Sequence, residues 1–346
     1  MELHEVKARL QRHFSDGLVM VVGSGLSCAE GLPGMAELAS HLVKTVGPCL
    51  AGGDALAWAN ISPLIAEKGL EAALLEKPPT PTLESEIVKE TALLIAERER
   101  SVITEVFIGT KTLRLTRLIT HVLMPPSGLP IVTTNYDRLV EVAVEEAGFG
   151  ADTMFSGRFA GTLNELESRL GFCRRVTFKK PNVHFHYQPR AVIYKPHGSL
   201  DWYLRDGKPV CYAGDLQGAQ RLIITPGKNK FRNGYESPFD HHRSRGNEAI
   251  DRASRFLILG YGFNDDHLET HLSPAIRDGR PTLMLTHSLS KAAEALAVNH
   301  TNVIALSHAQ ENGIDGTCVT IDKNKYFFQK LAIWDIGLFI TETLEP

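Results

Sequence analysis

Four short apolar runs, each ending in small or polar residues, dominate the hydrophobic pattern of this chain. They lie within Val19–Ser27, Leu129–Asp137, Val192–Leu200 and Phe256–His267. Each run is rich in Val, Ile and Leu, as buried strands are, and polar residues follow where a helix should begin. In open α/β sheets the carboxyl ends of parallel strands share one edge, and ligands bind there. The pattern therefore predicts one shared crevice.

Apolar strands and amphipathic helices alternate through the rest of the chain. Further strands are predicted at Leu222–Thr225, Thr282–Leu285 and Val303–Leu306. Helices are predicted at Leu3–Phe14, Met35–Val46, Asp137–Ala147, Gly246–Ala253, Asp266–Arg277 and Ser290–Ala297. This alternation is typical of parallel sheets covered by helices on both faces. The sequence thus predicts an α/β fold, a Rossmann-like doubly wound parallel sheet.

Three segments interrupt that alternation. Residues 47–124 show helical spacing at Ala55–Glu76, Glu84–Phe107 and Thr112–Met124 but no strand signal, which predicts a helical insertion on the sheet. Residues 148–190 are polar and mixed, and we interpret them as an irregular small subdomain. Residues 307–346 form a C-terminal tail that is expected to pack back on the core. The whole chain is treated as one domain, 1–346.

Composition excludes several classes of protein. A net charge of −3 with 43% hydrophobic residues indicates a globular chain without the basic excess of a duplex DNA-binding protein. Two local basic clusters, Arg174–Lys180 and Lys228–Arg232, are interpreted as solvated loop charge. No run of about 18 apolar residues predicts a membrane span. The five cysteines form no CxxC pair, which argues against a disulfide framework and favours a reducing, cytoplasmic location.

The glycine loop Gly23-Ser24-Gly25 follows a predicted strand and precedes a helix. Glycine allows close backbone approach to an anion, and free N–H groups at a helix start can hold it. The dehydrogenase fingerprint requires a third glycine where Cys28 stands, and the Walker Gly-Lys-Ser/Thr is absent. A nucleotide site is compatible with this loop, but hydride transfer fits poorly. A tight turn without a ligand is equally open.

Three polar residues at strand ends are the candidates for chemistry. Asn135 can hold a hydroxyl or a water in a fixed pose without adding charge. Asp137 could either cap the following helix or act in catalysis. His197, between Pro196 and Gly198, has a restricted backbone direction, and histidine is the commonest general base.

A metal site is not predicted. The histidines that lie close together in sequence lack Cys or acidic neighbours at metal-ligand spacing. These histidines are His184, His186, His241 and His242.

Taken together, the ordered segments resemble the sirtuin superfamily, and most closely its bacterial sirtuin-like branch. The matching pieces are Gly23–Ser27 with Gly31–Gly34, Thr133–Asp137, Lys195–Leu200 and Gly260–Asp265. The resemblance implies an NAD-binding domain in which Asn135 and His197 are the catalytic pair, with Asp137 beside them. It implies that the glycine loop holds the pyrophosphate and that Gly260–Phe263 lies near the adenosine half. The NAD-contacting positions that it implies are Gly23, Ser24, Gly25, Ser27, Pro33, Thr133, Gly198, Gly260, Tyr261 and Phe263.

Two departures from the deacylases of that superfamily refine the expectation. This chain has no pair of CxxC motifs for a zinc module, and it reads Gly34-Met35-Ala36 where deacylases carry Asp-Phe-Arg after their Gly-x-Pro. The zinc-free branch resembles immune effectors that hydrolyse NAD when phage infection is sensed. The resemblance thus implies an NAD⁺ glycohydrolase in antiviral defence, with NAD as substrate and no metal.

Partners follow from the same resemblance. We expect a homo-oligomer and a separate activator such as a HerA-type ATPase or, alternatively, an argonaute-like protein, with the helical insertion as the contact surface. Membrane contact is not expected, and nucleic acid contact is expected to be at most indirect. Two other functions stay open. One is an NAD-dependent deacylase or ADP-ribosyltransferase, and the other is a nucleotide-sensing, non-catalytic subunit of a DNA-processing complex.

Overall fold

The computed structural model describes residues 1–216, 218–225 and 236–345. The basic residues Lys228, Lys230 and Arg232 and the terminal Pro346 lie outside the described residues. Among the described residues, no helix combines the length and apolar character needed to cross a membrane. All five cysteines are free thiols.

Strands and helices alternate along the described chain. The strands are β1 (Leu18–Val22), β2 (Leu129–Thr133), β3 (Gly150–Asp152), β4 (Phe155–Ser156), β5 (Gly161–Leu163), β6 (Cys173–Lys179), β7 (Asn182–Tyr187), β8 (Arg190–Tyr194), β9 (Gly198–Arg205), β10 (Lys208–Cys211), β11 (Arg221–Ile223), β12 (Arg255–Leu259), β13 (Thr282–Thr286), β14 (Val303–Glu311), β15 (Ile314–Ile321) and β16 (Asn324–Gln329). The helices are α1 (Leu3–Gln11), α2 (Ser24–Ala29), α3 (Met35–Thr45), α4 (Gly52–Lys68), α5 (Leu70–Glu76), α6 (Pro81–Phe107), α7 (Arg114–Ile119), α8 (Leu139–Glu146), α9 (Glu165–Gly171), α10 (Phe239–Arg252), α11 (Asp266–Arg277), α12 (Lys291–Asn299) and α13 (Ile336–Phe339).

The central sheet has nine strands in the order β16-β15-β14-β13-β12-β1-β2-β8-β3. Every pairing from β14 to β3 is parallel, which confirms the predicted doubly wound parallel sheet. The last two strands, β15 and β16, run antiparallel and extend this sheet. The C-terminal residues after 307 therefore do more than pack back on the core, because they form one edge of the sheet.

Alternate side chains of the central strand β1 serve opposite faces of the sheet. Leu18, Met20 and Val22 lie in one hydrophobic core, which also contains apolar residues of α1, α7 and α8. Val19 and Val21 lie in the other core with residues of α10, α11 and α12. Since side chains alternate with a period of two along a strand, a strand that is apolar at every position needs cover on both faces.

The strand order reverses at β1. The chain passes from β1 to β2 on one side and later returns to β12 on the other side. The loops that follow β1 and β12 therefore leave the sheet in different directions, and a crevice opens between them. This is the edge at which the polar strand ends were predicted to meet.

The helices α3–α6 form a separate apolar core around residues such as Leu42, Trp58 and Ile87. The predicted helix Ala55–Glu76 is two helices, because Gly69 has a φ of +87° and separates α4 from α5. Thr80 accepts a hydrogen bond from the Leu83 N–H (3.2 Å), and Pro81 is the first residue of α6. The proline-rich break thus supplies a helix cap and a start.

A second sheet of five strands, in the order β11-β9-β10-β5-β4, lies beside the first. The predicted strand Leu222–Thr225 corresponds to β11, but it pairs antiparallel with β9 in this second sheet rather than joining the parallel one. Residues 148–190, interpreted as irregular, instead contain β3–β7 and α9. Within that segment β6 and β7 pair only with each other, as a two-stranded ribbon.

Candidate active site

Two glycine-containing turns meet backbone to backbone at the switch point. The Gly23 N–H donates to the Leu259 carbonyl (2.9 Å), and the Gly25 N–H donates to the Gly260 carbonyl (3.0 Å). A Cβ on Gly23 would lie only 2.5 Å from the Gly260 carbonyl oxygen. Glycine is therefore required here because the turns after β1 and β12 touch, whether or not a ligand is bound.

Asn135 is held in one orientation by two contacts. Its Nδ2 donates to the Gly23 carbonyl (3.0 Å) and to Ser27 Oγ (2.8 Å). Because a carbonyl only accepts, the amide nitrogen must face Gly23, and the amide oxygen Oδ1 must point elsewhere. Oδ1 is buried and has no hydrogen-bond partner among the described residues. A buried acceptor of this kind is costly unless a ligand or a water satisfies it.

Asp137 lies behind Asn135 and is linked to it through Ser27. Its Oδ2 accepts the Ser27 hydroxyl (2.8 Å), and its Oδ1 accepts the Leu139 N–H (3.1 Å) at the start of α8. Burial raises the pKa of the Asp137 carboxyl, although the ammonium of Lys195 opposes that effect. The helix-capping interpretation of Asp137 therefore has direct contacts, and its carboxylate also fixes the hydroxyl that orients Asn135.

His197 lies in the tight connection between β8 and β9, so it joins the two sheets. Its carbonyl accepts the Ile224 N–H (3.0 Å). Gly198 has a φ of +90°, and a Cβ there would lie 2.0 Å from the Leu222 carbonyl oxygen, so only glycine fits. The imidazole Nε2 lies 2.6 Å from Asp265 Oδ2, while Asp265 Oδ1 caps α11 by accepting the Leu268 N–H (2.9 Å).

These side chains line one cavity between the two sheets and the helical insertion. Its polar wall contains Asn135, Asp137 and His197, and Glu71 of α5 is also part of the lining. The remaining lining residues are Gly23, Ser24, Ser27, Leu32, Pro33, Gly34, Met35, Leu38, Ile95, Thr134, Tyr136, Ile224, Thr225, Tyr261, Gly262, Asn264 and Asp265. Eight predicted site residues therefore share one cavity.

A second cavity adjoins the first on the other side of the glycine turn. Ser24, Tyr261 and Gly262 line both cavities, so only the turns after β1 and β12 separate them. The second cavity also contains the predicted residues Gly25 and Gly260. Its far wall includes His287 and Trp334, whose rings meet edge to face at 5.0 Å. The pair of cavities suits an elongated ligand that crosses the glycine turn.

Three predicted site residues lie behind the walls of both cavities. Thr133 is fully buried, and its Oγ1 accepts the Asn135 N–H (3.1 Å). Gly198 permits the turn that presents His197, as described above. Phe263 is buried with its ring 5.2 Å from that of Tyr261. These residues hold the lining in place and do not contribute to it.

The helical insertion is tied to the loop that carries Asn135 and Asp137. Glu99 of α6 is completely buried, and its carboxylate accepts the backbone N–H of Arg138 (2.5 Å) and the Arg138 Nε–H (3.1 Å). The ammonium of Lys195, which directly follows β8, donates to the Asp137 carbonyl (2.6 Å) and to Glu141 Oε1 (2.9 Å). The loop is therefore held by charged groups on two sides.

Several of these residues were not predicted. Asp265 belongs to a recognised motif, but nothing in its spacing indicated contact with His197. Glu71, Glu99 and Trp334 lie far from the motifs in sequence and carried no local signal. Their roles depend on how the insertion and the C-terminal residues pack.

One group of possible metal ligands lies within the helical insertion. Among the described residues, Cys49, Glu86 and Glu90 place their ligand atoms within 4.8 Å of one another. The Lys89 ammonium lies 2.7 Å from the Glu86 carboxylate and 3.8 Å from that of Glu90. None of these residues lines either cavity described above, and the expectation of a metal-free protein stays a prediction.

Comparison with known proteins finds one matching family and several similar solved structures. The family described as a SIR2-like domain matches residues 130–304. A solved Sir2 homologue in complex with NAD is similar, with a TM-score of 0.45, 12% identity, and coverage of 83% of this chain and 84% of that chain. A Sir2 complex with a p53 peptide and NAD⁺ is similar with a TM-score of 0.40, 12% identity, and coverage of 84% and 89%. No curated protein matches the sequence.

The match to the family begins in β2 and ends in β14, so it includes the loops that carry Asn135, His197 and Gly260. It spans half of the chain and does not include β1 or the glycine loop Gly23–Gly25. We conclude that this protein belongs to the family of SIR2-like domain proteins.

Proposed function

We propose that this chain is an NAD⁺ glycohydrolase, which converts NAD⁺ and water into nicotinamide and ADP-ribose. One observation carries the proposal: the side chain of Asn135, whose amide oxygen has no partner among the described residues, and the imidazole of His197 line the same cavity beside the glycine turn. A neutral acceptor dipole and a base in one cavity suit a reaction that builds positive charge on a sugar and then takes a proton from water.

The two adjoining cavities support an orientation for NAD⁺. The nicotinamide and its ribose occupy the cavity of Asn135 and His197, and the pyrophosphate crosses the turn at Gly23–Gly25. The adenosine half then lies in the second cavity, beside Gly260 and Trp334. Glu71 lies at the wall of the first cavity, and its negatively charged carboxylate would attract the positively charged pyridinium ring.

Hydrolysis breaks the bond between C1′ of the ribose and the pyridinium nitrogen, and the electron pair leaves with nicotinamide. The ribose ring then carries positive charge, which the Asn135 oxygen stabilises by its dipole or by holding the attacking water. The water oxygen bonds to C1′, and its proton passes to His197 and then to solvent. Asp265 stabilises the imidazolium that forms and keeps the ring in position.

Incubation of the purified protein with NAD⁺, followed by chromatography of nicotinamide and ADP-ribose, tests the proposal. Replacing Asn135 or His197 by Ala should lower turnover about 100-fold or more, since positioned acid–base groups contribute on that order. Matched controls are Asn60→Ala and His4→Ala, which alter exposed residues outside both cavities. Unchanged turnover in a folded His197→Ala protein would refute the assigned role.

A second arm of the same assay separates hydrolysis from acyl transfer. A glycohydrolase releases nicotinamide from NAD⁺ alone, whereas a deacylase or an ADP-ribosyltransferase needs an acyl-lysine peptide or another acceptor. The absence of paired CxxC motifs from the sequence favours hydrolysis. Bound nucleotide without turnover, with and without a partner, would instead favour a sensing subunit.

The resemblance to antiphage effectors supports a role for this activity in antiviral defence inside the cell. We infer that turnover is controlled by assembly and by a separate activator, such as a HerA-type ATPase or an argonaute-like protein. Co-expression of the chain with such a partner, followed by phage infection, should lower cellular NAD⁺. The His197→Ala chain in the same cells should leave NAD⁺ unchanged.

A further inference from the structure

The ribbon formed by β6 and β7 stands apart from every hydrophobic core of the described structure. Its strands pair only with each other, and most of its residues are exposed. None of its apolar residues belongs to the four core clusters. An isolated two-stranded ribbon is marginally stable in water, so a surface of this kind is suited to contact with another molecule.

The charge on the ribbon has one sign. No acidic residue occurs between Glu167 and Asp201, while the ribbon carries Arg174, Arg175, Lys179 and Lys180. None of these four cations forms an ion pair with a described carboxylate. The Arg174 guanidinium donates to the Gly171 carbonyl and to Gln188 Oε1. Four cations without a carboxylate partner on one projecting element, in a chain whose net charge is −3, form a local positive surface.

The register gives the ribbon two different faces. Val176 is opposite Phe185, and Phe178 is opposite Val183, so these four side chains share one face. They are strongly exposed, with Phe178 at 77% and Phe185 at 48%. The Tyr187 ring stacks on the Phe185 ring, with centroids 6.4 Å apart and an interplanar angle of 23°. The apolar face therefore presents aromatic rings to solvent.

The opposite face is polar and basic. Arg175 is opposite His186, Thr177 is opposite His184, and Lys179 is opposite Asn182. Thr177 Oγ1 and His186 Nε2 lie 2.9 Å apart, so that face is ordered by its own contacts. Cations and hydrogen-bonding groups thus lie on one face of this narrow ribbon, and exposed aromatic rings lie on the other.

We propose that the β6–β7 ribbon binds single-stranded nucleic acid. A single strand that wraps around the narrow ribbon would place phosphates on the four cations and unstacked bases on the rings of Phe178 and Phe185. These rings lie on the face opposite to Arg175 and Lys179. Single strands are recognised by this combination, because their base faces are free to stack on aromatic side chains. In a duplex those faces are covered by neighbouring bases. The sequence pattern led us to interpret Arg174–Lys180 as solvated loop charge and to expect at most indirect contact with nucleic acid, whereas the ribbon and its exposed rings favour direct contact.

The proposal sets an expected salt dependence. Each phosphate that a cation neutralises on a single strand contributes about −0.7 to the slope of log K against log salt concentration. Four contacts give a slope of about −3, so the binding constant should fall about 50-fold between about 50 and about 200 mM salt. Each stacked ring should contribute about fivefold or more to affinity.

Fluorescence anisotropy with the full chain tests this without NAD⁺ in the sample, so the result does not depend on the proposed enzyme activity. Labelled oligothymidine and oligouridine of about 20 nucleotides distinguish DNA from RNA, and a duplex of the same length is the competitor. The charge variant combines Arg175→Gln, Lys179→Gln and Lys180→Gln, and the aromatic variant combines Phe178→Ala with Phe185→Ala. Thermal melting should be unchanged, because the ribbon lies outside the cores.

Matched controls exist elsewhere on the surface. Phe107→Ala removes a phenylalanine that is 76% exposed, and Lys44→Gln with Lys291→Gln removes exposed cations. The proposal holds if either single strand binds with the expected salt slope, if both ribbon variants weaken binding, and if the controls do not. Absence of binding at low salt, a preference for the duplex, or equal binding by the ribbon variants would overturn it.

Two further outcomes would also overturn it. If light scattering shows that the ribbon variants change the oligomeric state while no oligonucleotide binds, the ribbon contacts a second copy of the chain. If vesicles containing phosphatidylserine bind through the ribbon while oligonucleotides do not, its partner is a lipid surface.

Discussion

The Oδ2 atom of Asp265 lies 2.6 Å from Nε2 of His197, and this contact joins the turn after β12 to the connection between the two sheets. The other carboxylate oxygen of Asp265 caps α11. The imidazole is therefore oriented by a group whose own position is fixed by a helix. In the proposed reaction Asp265 is a positioning residue that acts through His197.

The variant Asp265→Asn should lower kcat about 10- to 100-fold, because the carboxylate that stabilises the imidazolium is lost. Asparagine caps helices as well as aspartate does, so the free energy of unfolding should change little. Steady-state kinetics should show the loss in kcat, with KM for NAD⁺ nearly unchanged. The control is Asn164→Asp, which exchanges amide and carboxylate at the cap of α9, outside both cavities. Wild-type kcat in Asp265→Asn would remove Asp265 from the mechanism.

Ser27→Ala should disturb the site by removing the hydroxyl that contacts both Asn135 and Asp137. The Ser27 hydroxyl accepts from Asn135 and donates to Asp137, so its loss leaves the Asn135 amide with its contact to the Gly23 carbonyl alone and leaves Asp137 Oδ2 without that donor. The unsatisfied groups should cost about 1–3 kcal/mol of unfolding free energy, and kcat should fall. Denaturant titration and kinetics measure the two effects. Ser40→Ala, which removes an exposed hydroxyl on α3, should change neither.

Glu99→Gln should loosen the helical insertion from the loop that carries Asn135 and Asp137. Glu99 is fully buried against the Arg138 guanidinium, and breaking such a pair leaves a charge without its partner, at a cost of about 3 kcal/mol. NAD⁺ turnover should also decline, because Arg138 directly follows Asp137. Urea denaturation of this variant beside Glu97→Gln, an exposed position on the same helix, isolates the effect of burial. Equal stability of the two variants would contradict the assignment.

Acidic pH should destabilise the fold through His13. Burial lowers the pKa of His13 to about 4, and its Nε2 lies 2.8 Å from the Phe256 carbonyl. Between the ordinary value of 6.5 and about 4 the unfolded chain binds the proton and the folded chain does not, so stability falls as pH falls through that window. The loss from this residue should reach about 3 kcal/mol near pH 4. His242, whose pKa burial also lowers, acts in the same direction.

Denaturant titrations at several pH values between these limits check the prediction. His13→Gln keeps a side-chain N–H for the Phe256 carbonyl but cannot take up a proton, so its stability should depend less on pH than that of the wild type. His4→Gln, at an exposed histidine of α1, should follow the wild type. A pH dependence that is identical in His13→Gln and wild type would show that His13 does not titrate on unfolding.

Local pattern was sufficient for most elements of the parallel sheet. The helix Asp266–Arg277 has the predicted bounds, and the strand predicted at Thr282–Leu285 is only one residue longer, because an amphipathic spacing with an aspartate cap and an unbroken apolar run are properties of adjacent residues. The same local signals failed for β15, where Gly316 and the polar residues Asp315, Thr317 and Thr320 interrupt the apolar run, and for β16, where half of the residues are polar and exposed. They also placed Leu222–Thr225 in the wrong sheet, since strand pairing is chosen between segments distant in the chain.

In the candidate site, too, some features follow from local sequence and others only from tertiary packing. Sequence alone determined that Asn135 and His197 stand at strand ends, because strand ends are marked by the change from apolar to polar residues. Only the tertiary structure decided that Asp265 faces His197, that Ser27 links Asn135 to Asp137, and that Glu99 holds the adjoining Arg138. Those contacts join residues 39 to 110 positions apart in the chain, and burial and hydrogen bonding between such residues depend on packing that no local spacing encodes.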